Sequence, residues 1–230
     1  MQGTLKHIGS IAFLAIASTG LIATSAQAQS DQQKLVSEAE TTLSNFVRDP
    51  DMTWLQNNLG RAKGVLIAPQ IVKAGFIFGG SGGRAVLLAR DPKSGKWVGP
   101  AFYAMATASV GFQAGVAVSE AITLVMTDKG MNSLLSPSFK MGADASVAAG
   151  PVGAGASSNV VADLIAFSRS KGVYGGVNLD GTVVNTSDDW NEAFYGKKVL
   201  STDILVRMTA PANKGGDRLL AEVTKAAGGK

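Results

Sequence analysis

The chain has 230 residues, with 21 Lys or Arg against 17 Asp or Glu, a formal net charge of +4, one histidine and no cysteine. Without cysteine there is no disulfide, no thiol nucleophile, no thiolate metal site and no lipid-bearing cysteine. The basic balance is too mild for a nucleic-acid partner, and the one histidine, His7, lies in a stretch expected to be removed, taking with it the commonest general base and soft-metal ligand.

That stretch opens with Lys6, continues through the apolar run from Ile8 to Ala23 and ends in Ala26-Gln27-Ala28. These are the charged, apolar and small-residue parts of a secretory signal peptide, with cleavage expected after Ala28. The product is expected to be exported, periplasmic or secreted. Residues 29–230 are expected to form one domain that is stable through packing alone.

From Asp31 the chain reads as helical. Leu35, Ala39, Leu43, Phe46 and Val47 recur at three- and four-residue intervals, while Lys34, Glu38, Asn45 and Arg48 fill the other side. Asp49-Pro50-Asp51 ends this helix and a second short turn follows over residues 52–59. The apolar stripe suits a helix covering a sheet or one lying on a membrane. Interfacial helices usually carry a Lys/Arg-rich polar face, whereas residues 29–60 are acidic on balance, which favours the sheet.

Residues 61–90 carry five Lys or Arg and no acid, and their apolar runs are broken only by Pro69 and glycines. A β-hairpin with a cationic edge is expected, its reversal allowed by Gly79, Gly80, Gly82 and Gly83. Val72, Ala74, Phe76 and Phe78 share a parity assigned to the core, which puts Lys73 on the opposite face. Asp91 to Gly95 forms the next turn. From Tyr103 to Glu120 alternation is nearly strict and predicts one long bent strand, its core face made by Ala104, Ala106, Ala108, Val110 and Val116.

Residues 121–126 continue as a buried strand, and Thr127 caps a short helix ending near Leu135. The Ala/Gly/Ser-rich stretch 141–161 reads as a packed turn or bent strand pair. Strands are expected at 164–167, 173–177 and 183–184, with a hairpin turn at Leu179-Asp180-Gly181-Thr182. Short helices start at Asp188 and near Ser201, and a terminal helix runs from Asp217 to Ala227. The fold class is therefore α+β: a strongly bent, mainly antiparallel sheet or partial barrel, flanked by an N-terminal amphipathic helix and short C-terminal helices.

Gly79 to Gly83 fits the G-x-S-x-G pattern of a hydrolase nucleophile elbow, but the shortened chain has no histidine to activate Ser81. Gly80 to Ala85 also fits a dinucleotide-loop pattern, yet the residues that follow read as strand where such a loop needs a helix. Both are taken as turn chemistry. No catalytic residue, metal or cofactor is assigned.

The sequence then resembles a known family. Ala62-Lys63-Gly64, Lys73-Ala74-Gly75-Phe76, Gly80-Ser81-Gly82-Gly83, Gly95-Lys96-Trp97 and Gly111-Phe112-Gln113-Ala114-Gly115 are similar to motifs of the SYLF, or Ysc84-type, domain. Gly150-Pro151-Val152-Gly153, Gly175-Gly176-Val177, Leu179-Asp180-Gly181 and Phe194-Tyr195-Gly196 follow in the same order. The resemblance implies a non-enzymatic lipid-binding module, with eukaryotic relatives that bind phosphoinositides and fungal ones that bind actin filaments. It places lipid contacts on Lys34, Arg48, Arg61, Lys63, Lys73 and Arg84, with Leu35, Leu43, Phe46 and Val47 as apolar membrane contacts. For an exported chain the expected partner is anionic phospholipid, and no actin is expected. The alternative is a structural protein of the cell envelope that docks a protein through the polar face of residues 103–119.

Overall fold

In the computed structural model, which describes residues 30–75, 78–110, 115–153, 159–170 and 179–228, the first helix, α1, runs from Asp31 to Arg48. The Ser30 hydroxyl oxygen accepts the Gln33 N–H at 3.2 Å, and Asp31 and Arg48 sit at the helix ends whose dipole charge each complements. Asp49 and Pro50 stop it. A single 3₁₀ turn then leads to α2, Thr53–Asn58. Leu35, Val36, Ala39, Leu43 and Phe46 form the buried stripe of α1, so this helix covers the sheet.

Eight strands follow: β1 Gly64–Gly75, β2 Phe78–Arg90, β3 Trp97–Val110, β4 Gly115–Val125, β5 Ser138–Lys140, β6 Val147–Ala149, β7 Leu164–Ser170 and β8 Val183–Thr186. Interleaved with or after them come α3 Asp128–Leu135, α4 Asp188–Tyr195, α5 Ser201–Leu205 and α6 Asp217–Ala227. All strands belong to one sheet in the order β5-β8-β3-β2-β1-β4-β7-β6. Every pair is antiparallel except β6 with β7, and the sheet curls into a half-barrel. The fold is α+β, as expected.

Alternation of side chains gives the sheet two apolar faces. Val65, Ile67, Val86, Phe102, Ile122 and Phe167 pack under α1, α2, α4 and α6. Leu66, Leu87, Tyr103 and Leu164 pack on the other face with Leu134 of α3 and Leu205 of α5. The buried Tyr103 hydroxyl donates to the Leu134 carbonyl at 2.8 Å, which satisfies its one polar atom.

Three expectations need correction. The glycine cluster does not form the reversal: Gly79 to Gly83 lie inside β2, paired with Gly75 to Ile71 of β1. A side chain at Gly83 would overlap the carbonyl of Gln70, because β1 bulges there. The bulge around Pro69 also overturns the assigned parity. Ile67 opposes Val86 but Gln70 opposes Arg84, so two β1 residues face one of β2 and the faces exchange. Ile71 is consequently buried, while Val72 is 41% exposed and Ala74 is exposed. Lys73 does lie on the face opposite Val72.

The third correction concerns the strand expected from Tyr103 to Glu120. It is two strands, β3 and β4, which lie on opposite sides of the β1–β2 hairpin. Its alanine face is not core beyond Ala104: Ala106 and Ala108 are exposed and Val116 is 69% exposed, because no helix among the described residues extends over that end. The expected signal peptide, Phe76, residues 111–114 and the strand expected at 173–177 lie outside the described residues.

Asp163 joins three segments. One carboxylate oxygen accepts the Thr127 hydroxyl at 2.5 Å, the other accepts the Ser146 N–H at 2.9 Å and hydroxyl at 2.8 Å, and Lys129 lies at 3.7 Å. These contacts, the Thr127 bond foremost, hold its carboxyl at about 2 against an ordinary 3.8. The folded chain thus binds this proton more weakly than the unfolded chain. The resulting stabilisation, about 2 kcal/mol, is complete above the unfolded value and is lost as pH falls through about 2. Asp163→Asn is expected to lower the urea midpoint at neutral pH, with the difference from wild type narrowing steadily below pH about 4. A pH-independent difference would contradict this.

Candidate functional site

Two clefts share the residues Lys34, Glu38 and Gln70 and lie between α1 and the sheet, with volumes of about 510 and 540 Å³. The bulge of β1 creates them by turning Gln70 and Val72 towards the helix. The first runs along Thr41 and Thr42 to Val118 of β4. The second is floored by Gly82 and Gly83, which lack side chains, and by Ala104, and is bounded by Arg84 and Trp190.

Arg84 pairs laterally with Gln70 on one side and Ala104 on the other. Its guanidinium lies 3.9 Å from the centre of the Trp190 ring and donates to the Ser187 hydroxyl at 3.3 Å. The ring is in turn held by Phe102, 6.0 Å away centre to centre. The α4 N-terminus that carries Ser187 and Trp190 is fixed to β3 by two bonds to Phe102: its carbonyl accepts the Ser187 N–H at 2.9 Å, and its N–H donates to the buried Asn191 side chain at 2.9 Å. Lys34 faces Glu38 at 3.9 Å, across a pair that is largely solvated and contributes little.

Of the six basic residues assigned from sequence, the structure brings two, Lys34 and Arg84, to this cleft. Arg48 is exposed at the far end of α1, roughly 20 Å along the helix from Lys34. Arg61 donates to the Asn58 side chain at 3.2 Å and Lys63 pairs with Asp128 at 2.9 Å, both near the opposite end of the sheet. Lys73 is exposed on the other sheet face. Among the assigned apolar contacts, Leu35, Leu43 and Phe46 are 7%, 0% and 1% exposed and Val47 is half-buried against the same core. In this fold packing against the sheet occupies that stripe.

Trp190, Gln70 and Val72 line the cleft without having been assigned to it. Gln70 and Val72 depend on the bulge, for which Pro69 was the available signal, since proline is admitted to sheets at bulges. Trp190 lies more than a hundred residues from Arg84 and carries no local sign of the contact.

Past the cleft the same sheet face continues without a covering helix among the described residues. The rows Val118–Val72–Gly82–Ala106 and Val116–Ala74–Gly80–Ala108 run across four strands, with Val72, Ala74, Ala106, Ala108 and Val116 exposed. No helix among the described residues is long and apolar enough to cross a membrane, and no cluster of metal-binding side chains occurs among them.

A family model described as "Ysc84: Las17-binding protein actin regulator" matches residues 106–226. LAS seventeen-binding protein 3 of Saccharomyces cerevisiae is 36% identical over 154 residues, which cover 64% of this chain and 33% of the yeast protein. Protein YSC84 of the same yeast is 35% identical over 154 residues, covering 64% and 32%. SH3 domain-containing YSC84-like protein 1 of Bos taurus is 30% identical over 169 residues, covering 71% and 49%. The chain therefore spans about a third of the yeast relatives and about half of the bovine one. These descriptions correct the expected partners, anionic phospholipid and no actin, since they name Las17 binding and actin regulation. The described members are binding and regulatory proteins rather than enzymes. With just over half of its length matched, the chain belongs to the Ysc84 family.

Proposed function

We propose that the chain is a non-enzymatic binding module whose α1 cleft and adjoining exposed sheet face dock a protein partner of the Las17 or actin-regulatory kind. The observation that carries this reading is the exposed apolar face made by Val72, Ala74, Ala106, Ala108 and Val116 beside a polar cleft. Patches of this composition rimmed by polar groups mark interaction surfaces. The relatives' descriptions supply the kind of partner. Lipid binding, implied by the resemblance of the sequence, is tested alongside.

Purified full-length chain is mixed with Las17, with actin filaments, and in parallel with anionic and with zwitterionic vesicles. Saturable binding to one of the proteins is expected. Val116→Asp should weaken it about tenfold or more, because a charge placed within an apolar contact must be desolvated. Since Val116 is 69% exposed, the substitution leaves the fold intact. Binding to anionic vesicles alone, or to neither protein, overturns the proposal.

A further inference from the structure

We infer that Arg84 is the anchor by which the cleft captures a single carboxylate of a docked protein segment, an assignment that rests on the protein-docking reading above. The guanidinium is held in place before any ligand arrives: Trp190 lies under one face at 3.9 Å and the Ser187 hydroxyl takes one N–H. Such a group loses little freedom on binding, and its remaining N–H donors match the two oxygens of a carboxylate.

No ion pair forms at Arg84 among the described residues, whereas the other half-buried cations among them, Lys63 and Arg169, each have an acid within 4 Å. Arg169 has Glu120 and Asp49, and Lys63 has Asp128. Arg84 instead stands beside Gly82, Gly83 and Ala104, whose small size leaves its outer edge open to the cleft. A cation that is positioned, partly desolvated and open is suited to an incoming anion.

The surroundings limit which anion. Asp31, Lys34, Glu38 and Arg84 line the cleft together, two acids and two bases, so the space as a whole is electroneutral. Lys34 already faces Glu38. A phosphate dianion or a charged surface would need a second uncommitted cation and would meet Asp31 and Glu38. One carboxylate requires one guanidinium. The neighbouring Val72 and the glycine floor then accept small apolar side chains flanking it, which describes an acidic residue within an apolar protein segment.

Trp190 supplies the readout, since the other two tryptophans, Trp54 and Trp97, are buried at 8% and 7% exposure. The full-length chain is titrated with the capped peptide Ala-Val-Glu-Val-Ala and with its Gln counterpart, following intrinsic fluorescence. The Glu peptide should bind about tenfold tighter, the effect of one charge-assisted pair. Arg84→Gln should abolish that preference and Arg84→Lys reduce it, with thermal midpoints measured to confirm that both variants fold. Trp190→Phe should remove the signal. Equal affinities for the two peptides would overturn the anchor while leaving the docking reading standing. Binding of neither would likewise overturn the anchor, while the docking reading stands or falls on the Las17 and actin measurement above. Displacement of the Glu peptide by inorganic phosphate or anionic vesicles, but not by acetate, would overturn the carboxylate assignment.

Discussion

Phe46→Ala is expected to lower the free energy of unfolding by about 3–5 kcal/mol, measured by urea denaturation followed by far-ultraviolet circular dichroism. Phe46 is 1% exposed in the last turn of α1, at the centre of the core beneath that helix. Removing the ring loses its burial and leaves a cavity. The helix cannot settle into that cavity, because the Thr42 hydroxyl donates to Glu120 at 2.9 Å and Asp49 lies 3.7 Å from Arg169, which fixes this end of α1 to the sheet. The same substitution at a position reserved for membrane contact would change stability by no more than about 0.5 kcal/mol. The experiment thus separates a helix whose stripe is buried from one whose stripe is held ready for lipid, and a loss below about 1 kcal/mol would contradict the packing described.

Arg169→Ala is expected to cost about 2–3 kcal/mol by the same measurement. Arg169 projects from β7 across β4, donates through Nε and Nη2 to Glu120, approaches Asp49 through Nη1, and lies 5.2 Å from the Phe46 ring centre. The Arg169, Glu120 and Asp49 side chains are 19–20% exposed, so the penalty is discounted from that of a fully buried pair but stays well above that of a surface one. Its removal leaves Glu120 and Asp49 half-buried and facing one another without the cation between them. Glu120→Gln in the Arg169→Ala background should therefore recover part of the loss. Should the double variant be less stable than either single one, the cluster is not held together by charge. Because Arg169 touches Phe46, the two substitutions in this Discussion will not add: their combination should cost less than the sum.

Local chemistry made much of the architecture legible in advance. Thr127 begins a helix where its side chain predicts, and the buried stripe of α1 follows the expected period. Alternation failed where one residue shifted the frame. Pro69 sits in a bulge that exchanges the faces of β1, so Val72 emerges where Ile71 is buried, and no pattern in Val72-Lys73-Ala74 itself reveals it. The long alternating stretch ran through β3 and β4 without a strong break, yet topology separates the two strands by a hairpin. The site suffered most, since Lys34 and Arg84 become neighbours through the bulge, and Trp190 reaches Arg84 only after β8 has docked on β3. The resemblance placed Arg48, Arg61, Lys63 and Lys73 in the same group, and the fold distributes them to different ends and faces.

The strand order sets a schedule for assembly. β1 and β2 form a local hairpin, β3 adds beside β2 through a short turn, and β4 must cross both central strands to reach β1. The outer partners come much later: β7 begins at Leu164 and β8 at Val183. Until they arrive, β3 lacks the partner it gains over Tyr103–Ala106 and β4 the one it gains over Ser119–Val125, leaving edges able to recruit other chains. The completed sheet ends instead in β5 and β6, three residues each. A chain cut short before Leu164 would therefore retain the four longest strands and lose their protection, making truncation a route to aggregation rather than to a smaller folded unit.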